Sequence, residues 1–340
     1  MALPFNPREV LAAARDAVAM AVGAQVDQPH PLAEGLTLRK IAVACGEISK
    51  PRMSFENDLA VMGRGMATSD FAKILADGVA QITIATYGSQ AEHNAFADTV
   101  EVANFKPAAL PALDGDMSLE PLGENAEIQR GYAFLAAGAG REVSLTTFAR
   151  AVVISRESII NDELGGISKM LATLGASAAR LESRMVSDAL EANPVLDDGS
   201  EVFHADHMNV VATTLDATGM GQAMALLRTQ PTSAGLRADL RARHLVVAPD
   251  LEYVANRLIV ESSLDVKVCS LANLPNGRWF LMADKVGCPT VATLRLHGAK
   301  LPVRVEPHRR PGNTDGAGMR AIADLGACML RRTGIVRGGV

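Results

Sequence analysis

Two imidazoles and a carboxylate fall within the short segment Phe203-His204-Ala205-Asp206-His207-Met208-Asn209. Imidazole nitrogen and carboxylate oxygen are donors that zinc or iron accepts, so His204, Asp206 and His207 define the one candidate for metal-dependent hydrolysis. Such a site needs three or four protein ligands, and no second cluster accompanies this one, since His30, His93, His244, His297 and His308 stand apart. The competing use is a polar turn after a long helix, in which Asp206 accepts backbone N–H groups and the imidazoles pack at a turn or an interface. The turn is the preferred reading. No catalytic, cofactor-binding or metal-ligating residue is assigned, and no cofactor is expected.

Other chemistry is scarce. The sequence holds no G-x-S-x-G, P-loop, H-E-x-x-H or EF-hand pattern, and its two G-x-G starts, at Gly63 and Gly219, do not complete a dinucleotide fingerprint. Glu182 is a candidate buried acid, but Arg180 and Arg184 beside it favour a solvated or interfacial helix face. Met53, Met62 and Met66 could form a soft binding stripe, although core filling is the commoner use of methionine. Cys45, Cys269, Cys288 and Cys328 form no C-x-x-C pair and read as small buried residues of a reducing compartment.

The elements that would carry these residues follow from composition and spacing. A chain of 340 residues, 48% hydrophobic and 21% charged, exceeds one compact core, and its 4% aromatic content disfavours deep aromatic-lined pockets. A net charge of -5 excludes an overall basic field for nucleic acid. A local basic stretch from Arg304 to Arg337 reads first as a solvated or intersubunit surface. No apolar run has membrane-spanning length and no secretory leader is seen, so a soluble, cytoplasmic protein without membrane contact is expected.

Helical spacing occupies residues 7–24, with a second short helix near 36–48 and broken sequence after it, so the first 66 residues read as an arm more than a core. A helix capped by Thr68 or Ser69 follows, then an alternating strand at 98–105. Residues 106–150 contain Gly115, Gly123, Gly131, Gly138 and Gly140 and offer no long helix. Two strand-like stretches within them predict a long hairpin that needs a neighbour, because a lone hairpin is marginal in water. Ile167, Leu171, Leu174, Ala178, Leu181, Met185 and Ala189 then mark a helix of about 28 residues, about 42 Å long, with Asp162 as a cap candidate. From 215 onward helices and strands alternate, with Asp250 near the start of one helix, and Gly-broken strands end the chain. The class is α+β.

This order of pieces, with the words "MATSDFAKILAD" (66–77), "VANFKPAALPALDG" (102–115), "LGENAEI" (122–128), "AVVISRESIINDELGGISKM" (151–170), "AARLESRMVSDALEANPVLDDG" (178–199) and "FHADHMN" (203–209), resembles the major capsid proteins of tailed bacteriophages (Caudoviricetes) with the Hong Kong ninety-seven-type fold. The nearest branch is the one related to prohead-protease/major-capsid fusions. The resemblance covers 66–209 well, 210–305 only in general pattern, and the first 65 residues weakly. It implies an N-terminal arm (1–66), a first part of the peripheral domain (67–105), an extended loop (106–150), the peripheral domain with its spine helix (151–209), an axial domain (210–305) and peripheral return strands (306–340).

It implies further that the protein is no enzyme but a virion component that assembles with itself, in the host cytoplasm, as hexamers and pentamers. These would close an icosahedral shell around double-stranded DNA held by nonspecific contact. Portal, scaffolding and cement or decoration proteins are the other partners the resemblance implies. "FHADHMN" would then link spine helix to axial domain. The family's lysine–asparagine crosslink is not expected from the loop tip, since no lysine lies between Lys106 and Lys169. An encapsulin-like nanocompartment shell is the alternative on the same fold.

Overall fold

The computed structural model describes residues 6–21, 26–109, 112–115, 133–136, 142–161, 164–195, 199–231, 237–299, 302–308 and 316–339. Three helices come first: α1 (Pro7–Ala21), α2 (Leu38–Ser49) and α3 (Asp58–Met66), followed by the longer α4 (Ser69–Gln90). Strands β1 (Asp98–Val102), β2 (Ala108–Ala109), β3 (Ala112–Gly115), β4 (Ala133–Ala136), β5 (Glu142–Val143) and β6 (Thr146–Ser155) lead to a short α5 (Arg156–Ile160) and the 28-residue α6 (Leu164–Glu191). Next come β7 (Val210–Val211), α7 (Ala217–Thr229), β8 (Ala242–Val247), α8 (Glu252–Ser262), β9 (Lys267–Ser270), β10 (Trp279–Ala283) and β11 (Val291–Leu296). Strands β12 (Val303–Pro307), β13 (Gly316–Leu325), β14 (Ala327–Met329) and β15 (Ile335–Gly338) follow. The expected α+β class is what the chain adopts.

The chain divides into two compact units, the first built from Met1–Gln90, Thr147–Arg180 and Lys300–Asp324. Its core joins Val18, Leu38, Ile41, Val61 and Met62 to Phe71, Leu75, Ile159 and Met319. Full burial of each such side chain contributes about 1.5–3 kcal/mol, so α1, α2 and α3 are core-forming. The loosely packed arm expected over 1–66 is not what the described residues show. Helix α3 escaped the sequence reading because Pro51, Gly63 and Gly65 look like breakers.

Gly65 is instead where two helices touch, since a Cβ there would lie 1.7 Å from the Ala42 carbonyl oxygen, and one at Gly46 would lie 2.2 Å from that of Val61. Asn57 caps α3 by accepting from the Ala60 N–H, and Thr37 caps α2 by accepting from Lys40. At α4 the capping oxygen belongs to Thr68, which accepts from the Phe71 N–H at 3.3 Å. Of the three methionines considered, Met62 and Met66 fill the core and Met53 is exposed. A three-stranded sheet, β12-β13-β6, completes this unit.

The second unit comprises Ala91–Thr146, Leu181–Ala299 and Leu325–Val340. It holds a three-stranded sheet, β1-β11-β14, and a five-stranded sheet, β7-β15-β10-β8-β9. Against the larger sheet lie α7 and α8, burying Ala223, Leu227, Ala255 and Leu258 with Leu245, Leu281 and Val336. The only tryptophan, Trp279, is fully buried opposite Gly338, where any Cβ would fall within 2.0 Å of the indole.

The hairpin expected within 106–150 is present as two short antiparallel ladders, β2 with β5 and β3 with β4. Its partners differ from the two stretches singled out in the sequence. Strand β4 returns against 112–115, and β6 belongs to the sheet of the first unit. Residues 116–132, which include the loop tip, and the cap candidate Asp162 lie outside the described residues. The strands after 306, expected to complete one sheet, serve three: β13 pairs with β12, β14 with β11, and β15 with β10 and β7. Asp250 lies one residue before Leu251, the N-cap of α8, as expected, and its carboxylate accepts from the Gly277 N–H at 2.9 Å.

The close α2–α3 approach gives a paired test on one helix. Gly65→Ala lowers stability by about 1–3 kcal/mol because backbone must move. Gly63→Ala, where nothing lies within 4 Å, leaves it unchanged or raises it by about 0.5–1 kcal/mol. Thermal melts of the purified chain separate the two.

Candidate functional site

Asp206 and His207 lie on a single 3-10 turn, Ala205–His207, and His204 is its N-cap. His204 precedes it in extended conformation and its Nδ1 accepts from the Asp206 N–H at 3.3 Å. His207 is buried, and its Nδ1 lies 3.1 Å from the Val202 carbonyl oxygen, which can only accept, so this nitrogen carries the proton. Met208 leaves the turn in the left-handed region, at φ 52°.

Asn209, fully buried, ties the turn together: its amide donates to the Val202 carbonyl at 2.7 Å and to that of Arg332 at 3.4 Å, while its side-chain oxygen accepts from the His204 N–H at 3.1 Å. The two imidazoles face each other edge-on at 5.9 Å between centroids, and Asp206 points to solvent. Their polar atoms shape a turn. Among the described residues no group of three or more His, Cys, Asp or Glu side chains is arranged to hold a metal.

A second buried amide works beside the first. Gln230 at the end of α7 donates to the Ile335 carbonyl at 2.9 Å and accepts from the Gly334 N–H at 2.8 Å. Between them Asn209 and Gln230 satisfy backbone groups of 332–335, the segment that feeds β15 into the middle of its sheet. Neither residue carried a sequence signal beyond being an isolated amide.

The deepest polar cluster surrounds Glu182. Its side chain has no exposure; one oxygen accepts from Arg295 of β11 and the other lies 3.1 Å from Nε2 of His93, also fully buried. Arg295 in addition donates to the Leu294 carbonyl at 3.0 Å. The sequence reading weighed a buried acid but preferred a solvated or interfacial helix face for Glu182, and the structure buries it fully.

The physical reason is helix geometry: residues two apart point about 200° away from each other, so solvated Arg180 and Arg184 put Glu182 inside. The buried face of α6 in this unit includes Glu182, Val186 and Leu190. It lies one residue on from the expected Leu181, Met185 and Ala189, because a pattern search skips a glutamate, whereas the expected Ala178 is buried. The available signals were Arg295 inside an otherwise apolar strand and the isolated His93.

Elsewhere, described arginines of the basic C-terminal stretch find partners within the fold, while Arg309 and Arg310 lie outside the described residues. Arg304 reaches Asp324 at 2.6 Å and Glu306 at 3.1 Å, Arg320 reaches Glu306 at 2.9 Å, and Arg337 lies 4.9 Å over the Phe203 ring. Burial pushes the Cys45 thiol up to about 12 and that of Cys269 to about 11. No helix among the described residues is long and apolar enough to cross a membrane.

Two tests follow from this chemistry. Glu182→Ala removes the carboxylate that the buried Arg295 faces and costs about 3–5 kcal/mol, whereas Arg184→Ala, on the opposite face, changes unfolding free energy by less than about 0.5 kcal/mol. The thiols add a pH dependence. The unfolded chain releases their protons near the ordinary 9 while the folded chain retains them. Stability is therefore complete below about pH 9 and falls above it, by up to about 1.4 kcal/mol per pH unit per thiol. Denaturant titrations between pH 8 and 10.5 show the slope, and Cys45→Ala with Cys269→Ala reduces it, the remainder coming from Cys288, whose thiol burial also raises.

Comparison with known proteins adds an independent line. A family described as phage capsid protein matches residues 139–338, more than half of the chain. Among solved structures, the virus-like particle from Pyrococcus furiosus is 9% identical with a TM-score of 0.45, covering 76% of this chain and 96% of its own. The capsid of cyanophage P-SCSP1u is 10% identical at 0.45, covering 73% and 88%. The holo-SrpI encapsulin complex of Synechococcus elongatus PCC 7942 is 10% identical at 0.45, covering 71% and 84%. No curated protein matches the chain.

Proposed function

Because the chain belongs to the phage capsid protein family, we propose that it is the major head protein of a tailed bacteriophage. Its copies assemble as hexamers and pentamers into an icosahedral shell around double-stranded DNA. The family match over 139–338 carries this reading. Two features support it. The arms of the 108–143 hairpin are two-stranded ladders, a form that is marginal alone and gains from lying on a neighbouring copy. The polar groups that could have done chemistry, His204, His207 and Glu182, are engaged within the fold.

In this proposal the protein is structural and not catalytic, resides in the virion and assembles in the host cytoplasm. The hairpin is the extended loop, α6 the spine helix, and the five-stranded sheet with α7 and α8 the core of the axial domain. Portal, scaffolding and cement proteins are its further partners. The shell depends on summed weak contacts between identical surfaces, as closed symmetric assemblies do.

Electron microscopy of the concentrated, purified chain, alone and coexpressed with a scaffolding and a portal protein, tests the proposal. Closed shells or rings of five and six are expected, and coexpressed shells protect DNA from nuclease. Uniform monomers or dimers under both conditions contradict it. Closed shells that hold a protein cargo and no DNA shift the reading to an encapsulin-like compartment.

A further inference from the structure

Four large apolar side chains stand in solvent within one short stretch: Ile48 at 40% exposure, Met53 at 41%, Phe55 at 81% and Leu59 at 41%. They share one end of the α2–α3 hairpin. Gly46 meets Val61 there, Ile48 lies just beyond it on α2, Leu59 just before it on α3, and Met53 and Phe55 sit in the connection.

That connection is held firmly. Arg52 pairs with Asp58 and, at 3.6 Å, with Glu47, and donates to the Glu56 carbonyl at 3.3 Å. Arg64 pairs with Glu56 at 2.6 Å and donates to the carbonyls of Gly46 and Lys50 at 3.3 and 3.0 Å. The Met53 N–H donates to Glu56 at 3.0 Å. Hydrogen bonds from Arg64 and Arg52 hold the Glu56 and Asp58 carboxyls below their usual range. A phenylalanine presented on a turn fixed this way has little conformational freedom left to lose on binding.

We propose that this end of the hairpin is a docking surface for a second copy of the same chain, with Phe55 as its anchor. The inference rests on the shell reading above. Charge selects the occupant. Whole chains carry -5 and repel one another, but Glu47, Glu56 and Asp58 balance Lys50, Arg52 and Arg64, and the two arginines hold all three acids. Identical copies therefore approach here without like-charge repulsion, and a strongly charged partner finds little to recognise.

Area selects it as well. The four side chains offer roughly 300–400 Å² of apolar surface, a functional patch size for a monomer but well under the about 1,000 Å² that a stable pair buries. Such a contact holds only where copies are already neighbours, and repetition around a closed assembly supplies that condition.

The test places the photocrosslinker benzoylphenylalanine at position 55 of the full chain under shell-forming conditions, with Phe55→Arg as a second variant. Irradiation is expected to give covalent dimers whose adduct maps, by mass spectrometry, to another copy of this chain. Phe55→Arg is expected to melt within about 2 °C of the parent, since the site is exposed, while shell yield falls at least tenfold. Unchanged shell yield in Phe55→Arg, crosslinks only to a different protein, or shells without crosslinks would each overturn the docking surface and leave the shell reading standing. Absence of shells from the unsubstituted chain would remove both.

Discussion

A carboxylate with no access to water sits on the long helix α6, and the packing of the second unit depends on how it is answered. Glu182 meets a guanidinium from β11 on one oxygen and an imidazole on the other. Buried charge of this kind is weak evidence for stability in itself, because desolvation offsets most of the attraction. Its effect is on uniqueness. Rotating α6 by one residue would bring Leu181 and Met185 inward, an apolar face that packs without difficulty, but it would take the Glu182 carboxylate away from Arg295 and His93. The ionic pair makes that alternative costly and so fixes which face of α6 is inside.

The buried amides act in the same way at another point. Asn209 and Gln230 present donors and acceptors to the backbone of 332–335, so that β15 enters between β10 and β7 in one register. Trp279 over Gly338 adds a steric version of the same selection. In the proposed shell every copy must present the same surfaces, and buried polar groups with a single satisfying arrangement serve that requirement better than apolar packing, which tolerates small slips.

Much of the fold was legible in the sequence. Periodicity gave α1, α2, α4, α6, α7 and α8, alternation gave β1, and short apolar runs gave β8, β10 and β11. The hairpin was legible from glycine density and strand-like stretches, though not its pairing. What escaped has specific causes. Helix α3 was hidden by glycines that serve helix contact instead of chain breaking. The return strands went to three sheets because pairing partners are a property of tertiary structure. At the candidate site, HADH was read as a polar turn and is built as one, whereas for Glu182 a solvated or interfacial face was preferred to burial, since its neighbours in sequence were mistaken for its neighbours in space.

The most direct measurement is a double-mutant cycle on the full chain: unfolding of the parent, Glu182→Ala, Arg295→Ala and the double variant. If the pair fixes the packing of α6, each single variant loses several kcal/mol while the double variant loses little more than either, a coupling of about 2 kcal/mol or more. Additive losses, agreeing within about 0.5 kcal/mol, would show that the two groups act independently and would contradict the account.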